Sequence, residues 1–182
     1  MPLWDSVETN GLIYVKSPAP GYTRYQTNIN VVPEENDPTF RKIQGCRIIP
    51  QNHEVITENV LDNLHVAYIH KFGNRANPLP SDLKYEALGN FAGRSTFMYR
   101  PKPGTLASFI SSEPFPEVKV ENEHYLPSTT VTRVTTNNKF VKTVVTRALP
   151  LKYDKTILFG ELHRNFGLDN FGVGDHVMRT LM

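Results

Sequence analysis

Cysteine is almost absent: Cys46 is alone among 182 residues. An intramolecular disulfide is therefore excluded, and so is an iron–sulfur cluster held by thiolates of this chain alone, which needs at least two of them. Long apolar runs are lacking too. None approaches the roughly 20 residues that cross a bilayer, and the opening Met1-Pro2-Leu3-Trp4-Asp5 has no basic stretch leading into an apolar core. The expectation is a cytoplasmic protein with no membrane span. Charge of one sign is also scarce, because the 20 basic and 18 acidic residues are scattered and leave a net +2. No footprint for a polyanion results, so nucleic acid is not expected as a partner.

What remains is 39% apolar, enough for one domain with its own core. Gly11-Leu12-Ile13-Tyr14-Val15 reads as a strand, and Lys16-Ser17-Pro18-Ala19-Pro20-Gly21 as the linker that ends it. Residues 22–36 are polar and irregular, and Gly45-Cys46-Arg47-Ile48-Ile49 suggests another strand, stopped by Pro50 and carrying Cys46 as a small core residue. Over residues 54–69 apolar side chains recur every third or fourth position, which predicts one helix closed by Gly73. Residues 75–103, broken by Pro78, Pro80, Gly89, Gly93, Pro101 and Pro103, read as a long connection. The second half is rich in Val, Thr, Tyr and Phe with turns at Asn137-Asn138 and Tyr153-Asp154-Lys155, the pattern of an antiparallel meander. A last helix starts near Asp175 and is still running where the chain stops, so the domain reads as cut.

Chemistry concentrates in Glu58-Asn59-Val60-Leu61-Asp62-Asn63-Leu64-His65-Val66-Ala67-Tyr68-Ile69-His70. Two imidazoles are borderline ligands that suit iron, zinc or copper. Positions five apart on a regular helix are turned about 140° from each other. His65 and His70 therefore share one ion only if the helix widens locally or unwinds before His70, and an irregular helix is predicted. Asp62, three residues before His65, is placed for its carboxylate to accept from a histidine ring nitrogen and fix the tautomer.

Glu58-Asn59, Asp62, His65 and His70, in that order and spacing, resemble the mononuclear iron motif of Rieske-type non-haem iron oxygenases. Residues 7–15 look like the last strand of a Rieske domain. Thr156-x-Leu158-Phe159, Arg164-Asn165-Phe166 and Asp175-x-x-Met178-Arg179 are similar to the late strand and final helix of the branch with vanillate demethylase and pheophorbide oxygenases. The resemblance implies an α+β, helix-grip fold like that of START and Bet v 1 proteins: a curved antiparallel sheet gripping a long helix that carries the metal-binding histidines. Residues 1–21 would be the end of a Rieske domain and its linker, and residues 22–182 the catalytic domain, truncated at the C-terminus.

The same resemblance implies Fe(II) on His65 and His70 with one carboxylate, leaving positions open for O₂ beside a hydrophobic, ring-containing substrate that is hydroxylated or demethylated. Asp62 would carry electrons from the cluster of a neighbouring subunit, possible in a homo-oligomer such as a trimer. The [2Fe-2S] cluster has to sit on a separate chain or domain, a Rieske iron–sulfur protein or reductase. Family members place the third ligand further along the last helix than this chain reaches, which leaves Asp175 as the substitute and Asp169 and Glu161 as weaker ones. His53, His124, His163 and His176 show no ligand spacing, although His163 could line the pocket. Phe91, Phe97, Tyr99, Phe109, Tyr125 and Phe159 are candidates for an aromatic wall. The rival is a non-catalytic START-like protein that binds an apolar ligand on the oxygenase scaffold; a two-histidine zinc site is a third reading.

Overall fold

The structure is a computed structural model that describes residues 5–9, 11–16 and 32–167. These fall into two units, one up to Val31 and one from Val32 onward. In the first, β1 (Asp5–Thr9) and β2 (Leu12–Lys16) form an antiparallel hairpin. Gly11 stands at φ 71° in its turn, a left-handed conformation that costs glycine nothing.

The second unit is built on one seven-stranded antiparallel sheet. Its strands are β3 (Arg41–Ile49), β4 (Ser81–Gly89), β5 (Ala92–Tyr99), β6 (Val118–Tyr125), β7 (Thr129–Thr136), β8 (Phe140–Lys152) and β9 (Lys155–Arg164), in the order β3-β9-β8-β7-β6-β5-β4. From β4 to β9 each strand pairs with its sequence neighbour. Asn137 and Asn138 both adopt φ 53°, as the tight turn between β7 and β8 demands, which is why that turn is legible as an Asn-Asn pair. Strand β3 pairs instead with β9, Arg41 opposite Arg164 through Ile49 opposite Thr156. The chain must then travel from one edge of the sheet to the other before β4. That crossing spans about 29 Å at the usual strand spacing, and helices α1 (His53–Leu61) and α2 (His65–Ile69) make part of it, α1 lying against β6, β7 and β8.

The antiparallel sheet is as expected, whereas the single long helix over residues 54–69 is not found. Asn52 caps α1 by accepting from the Glu54 N–H, and the helix ends at Leu61. Asp62 follows with ψ 102°, and its carboxylate accepts from the Leu64 N–H at 2.9 Å. This side-chain bond competes with the helical ladder and splits one helix into two short ones. A second correction concerns residues 75–103, where β4 and β5 form a hairpin in place of a long connection. Alternation runs through β5, with Gly93, Ser95, Phe97 and Tyr99 buried, but two of those four side chains are absent or polar and hide the period.

Residues opposite one another in register share a face. On the helix side Phe97, Tyr99, Val118 and Val120 pack with Ala67 of α2, and Ile43 packs with Leu162. Cys46 lies on β3 and is exposed, not core, because the edge strand leaves that position uncovered.

The opposite face is ionic. Glu123 takes Arg94 and Arg133, Arg133 also holds both oxygens of Glu34 from the 3₁₀ turn Pro33–Asn36, and Thr143 donates to Glu34 at 2.7 Å. Beside it Glu161 takes Arg147 at 2.7 Å and meets His163 at 3.3 Å. Burial by itself raises the Glu34 carboxyl, but bonds from Arg133, the main chain and Thr143 outweigh it and hold the group below its ordinary 4.5. Burial likewise opposes, and His163, Arg147 and Lys42 win, at Glu161. Both groups bind protons more weakly folded than unfolded, so their contribution is present above pH 4.5 and is lost as pH falls through the lowered values. A urea midpoint that holds from about pH 7 to 5 and drops steadily below about 4.5 is the expected profile; a flat profile down to about pH 3 contradicts it.

Candidate metal centre

The break between α1 and α2 makes His65 the first residue of α2 and His70 its C-cap, with ψ 147° at His70. The irregular helix that the five-residue spacing calls for is thus present as unwinding on both sides of one short turn. The two rings meet: Nε2 of His65 lies 3.1 Å from Nε2 of His70. For metal–imidazole bonds of about 2.1 Å, that separation corresponds to an angle near 95° at a shared ion, closer to a right angle than to a tetrahedral one.

The tautomer of His65 follows from its other nitrogen. Nδ1 stands 2.6 Å from the main-chain oxygen of Asp62, and a carbonyl only accepts, so Nδ1 carries the proton and Nε2 presents its lone pair. The ring's partner is therefore the Asp62 backbone and not its carboxylate, which is engaged with the Leu64 N–H. His70 stacks on Phe72, ring centroids 4.9 Å apart. Burial, then the charges of His65 and Lys142, hold the His70 imidazolium form below its ordinary range, which favours the neutral ligand form.

Two anchors hold this turn on the sheet. Asn122 of β6, buried, donates to the Asn63 side chain at 2.8 Å, pinning the break itself. After His70 the chain turns tightly: Gly73 N–H donates to the His70 oxygen, Asn74 N–H to the Tyr99 hydroxyl at 2.7 Å, and Lys102 N–H to the Phe72 oxygen. Sequence reasoning missed Asn63 and Asn122, since nothing in one dimension pairs residues 59 positions apart.

The other expected site residues are not brought here. Asp175, Asp169 and His176 lie outside the described residues. Glu161 and His163 are on the far side of the sheet, where they pair with each other, so His163 lines no pocket with His65. His53 opens α1, and the His124 ring lies over Gly93. Of the proposed aromatic wall, Phe97 and Tyr99 face the helices; Tyr125 faces the other way, its hydroxyl donating to Glu123. The donor set suits two positions of a two-histidine, one-carboxylate centre. Among the described residues no three His, Cys, Asp or Glu side chains come together.

Comparison with known proteins places the chain in a family. Residues 49–182 match the family described as the vanillate O-demethylase oxygenase C-terminal domain. The chain belongs to that family, the catalytic part of Rieske-type oxygenases. Dicamba monooxygenase bound to 3,6-dichlorosalicylic acid superposes with a TM-score of 0.73 at 18% identity, over 97% of this chain and 54% of that one. NdmA of Pseudomonas putida CBB5 with caffeine gives 0.70 at 16% identity, over 97% and 49%. The protochlorophyllide-dependent translocon component 52 of Arabidopsis thaliana, described as chloroplastic, is 43% identical over 49 residues, 27% of this chain and 9% of the relative. The chain thus spans about half the length of the solved structures it matches. No helix among the described residues is long and apolar enough to cross a membrane.

Proposed function

We propose that this chain is the iron-binding part of a Rieske-type oxygenase that uses Fe(II) and O₂ to hydroxylate or demethylate a hydrophobic, ring-containing substrate. The observation that carries the reading is the approach of the His65 and His70 Nε2 atoms to 3.1 Å with the His65 proton held on Nδ1. Ferrous iron between two imidazoles and a carboxylate supplies O₂ activation, with open positions beside the substrate.

Within this reading His65 and His70 hold the ion and Asp62 has two tasks. Its main-chain oxygen orients His65, while its exposed carboxylate faces outward as the electron entry point from a separate iron–sulfur protein. Asn63 and Asn122 keep the break from sliding along the sheet. The third ligand is a carboxylate from the C-terminal segment or from a partner, with Asp175 the candidate in this chain.

Anaerobic titration with Fe(II), or with Co(II) as a coloured stand-in, tests this directly. One ion per chain is expected, weakened at least tenfold in His65→Ala and in His70→Ala. Equal binding by wild type and the double variant, or none by wild type even with a reconstituted iron–sulfur partner, removes the oxygenase reading. A chain that then still binds an apolar ring compound would be the pocket protein on the same scaffold.

A further inference from the structure

The two histidines are held differently. His65 has the restraint usual for a metal-binding imidazole, since its second ring nitrogen donates to a main-chain oxygen, that of Asp62, at 2.6 Å. Among the described residues His70 has no such bond, and the one polar contact of its ring is the 3.1 Å approach to His65 itself. The helix does not restrain it either. His70 is the exposed C-cap of α2, where a ψ of 147° carries the chain out of the helix. The torsion that turns a histidine ring about its stem has broad minima. Room to turn is present as well, because His70 also lines a surface cavity of about 610 Å³ together with Tyr68, Arg75 and Lys102. An imidazole that swings toward that cavity takes its Nε2 away from His65.

One contact opposes this. The Phe72 ring lies on the His70 ring with centroids 4.9 Å apart and planes 15° from parallel, whereas His65 meets His70 at 5.1 Å and 57°. The turn that carries Phe72 is tied down by its main chain. Gly73 N–H donates to the His70 oxygen at 2.9 Å, and Lys102 N–H donates to the Phe72 oxygen at 3.1 Å. A fixed flat face is thus presented to an imidazole that has no other guide. Phe72 is 43% exposed, so filling a core does not account for it. An imidazole that shares its lone pair with a cation turns electron-poor, and the electron-rich face of a phenyl ring favours such a neighbour.

We propose that Phe72 is a positioning residue: by stacking, it does for His70 what the Asp62 oxygen does for His65, and it keeps the His70 Nε2 turned toward its partner and out of the surface cavity. Metal affinity then depends on a flat ring at position 72, and an apolar side chain of similar size does not replace it. The link to an ion rests on the oxygenase reading. The ring orientation does not, and it is read without metal.

The test uses the full chain with isotope-labelled histidine, first metal-free by NMR and then in anaerobic Co(II) titration. In wild type the His70 ring protons, assigned by their disappearance in His70→Gln, are expected upfield, displaced by the phenyl ring current. Phe72→Leu should return them to the values of a free imidazole. Phe72→Leu should also weaken Co(II) binding about threefold to tenfold, the scale of one aromatic pair, while Phe72→Tyr and Phe72→Trp stay within about twofold of wild type. In a His70→Ala background Phe72→Leu should cause no further loss, since the effect passes through that ring. Unchanged affinity in Phe72→Leu, an equal loss in Phe72→Tyr and Phe72→Trp, or the same loss in the absence of His70 overturns the proposal. Thermal melts identify a variant that no longer folds, and Phe72→Met then replaces Phe72→Leu. A ring-current shift with no ion bound by wild type sinks the oxygenase reading alone, whereas ion binding without the shift sinks only the role of Phe72.

Discussion

Arg133→Leu is expected to lower the free energy of unfolding by about 3–5 kcal/mol, the cost of breaking a buried ion pair from one side. Arg133 is 15% exposed and its partners Glu34 and Glu123 are 7% and 2% exposed, so neither carboxylate can turn to water when the guanidinium goes. Glu123 keeps Arg94 and the Tyr125 hydroxyl, whereas Glu34 keeps only Thr143 and its own backbone. The uncompensated charge is therefore at Glu34, and adding Glu34→Gln to Arg133→Leu should recover part of the loss. Lys119→Ala, which removes a pair at the surface with Lys119 41% exposed, should cost less than about 0.5 kcal/mol. Urea denaturation at neutral pH measures all three. A loss under about 1 kcal/mol for Arg133→Leu would mean that the network adds little beyond packing.

Gly73→Ala should be the most damaging single methyl group near the histidines. A Cβ at Gly73 would stand 2.5 Å from the Ala67 oxygen and closer still to that of Val66, both backbone atoms that cannot swing aside. Either α2 or the turn after His70 has to move, and overpacking of this kind costs about 1–3 kcal/mol. Because His70 lies between the two, the displacement opens the pair of nitrogens, and metal affinity should fall by about tenfold or more, the scale seen when support around a ligand is lost. Gly45→Ala is the matched control, since a Cβ there meets nothing within 4 Å. Equal metal binding in the two variants would show that the turn gives way without disturbing His70.

Sequence showed the meander well because β7 to β9 are dense in Val and Thr and because Asn137-Asn138 is a turn that few other residue pairs can make. It also showed the histidine pair and the need for a broken helix. What it hid has physical causes. The break falls at Asp62 because of a hydrogen bond to Leu64 N–H, a local choice that an amphipathic pattern averages over. The hairpin of β4 and β5 was masked by Gly89 and Gly93, read as breakers, although Gly93 is there to leave room for the His124 ring. Most of all, Glu34, Glu123, Arg133 and Glu161 look like solvated charges in one dimension. Only the fold, which brings Glu34 within reach of Thr143 across 109 positions, turns them into an interior.

The pairing of β3 with β9 sets a timetable for biosynthesis. A ribosome working at about 5–20 residues per second leaves β3 without its neighbour for roughly 6–25 seconds after it emerges. During that interval the edge of Arg41–Ile49 offers open amides and carbonyls to any other nascent strand. Arg41, Lys42 and Arg47 along its length supply the positive charge that discourages a second copy of the same segment from docking there.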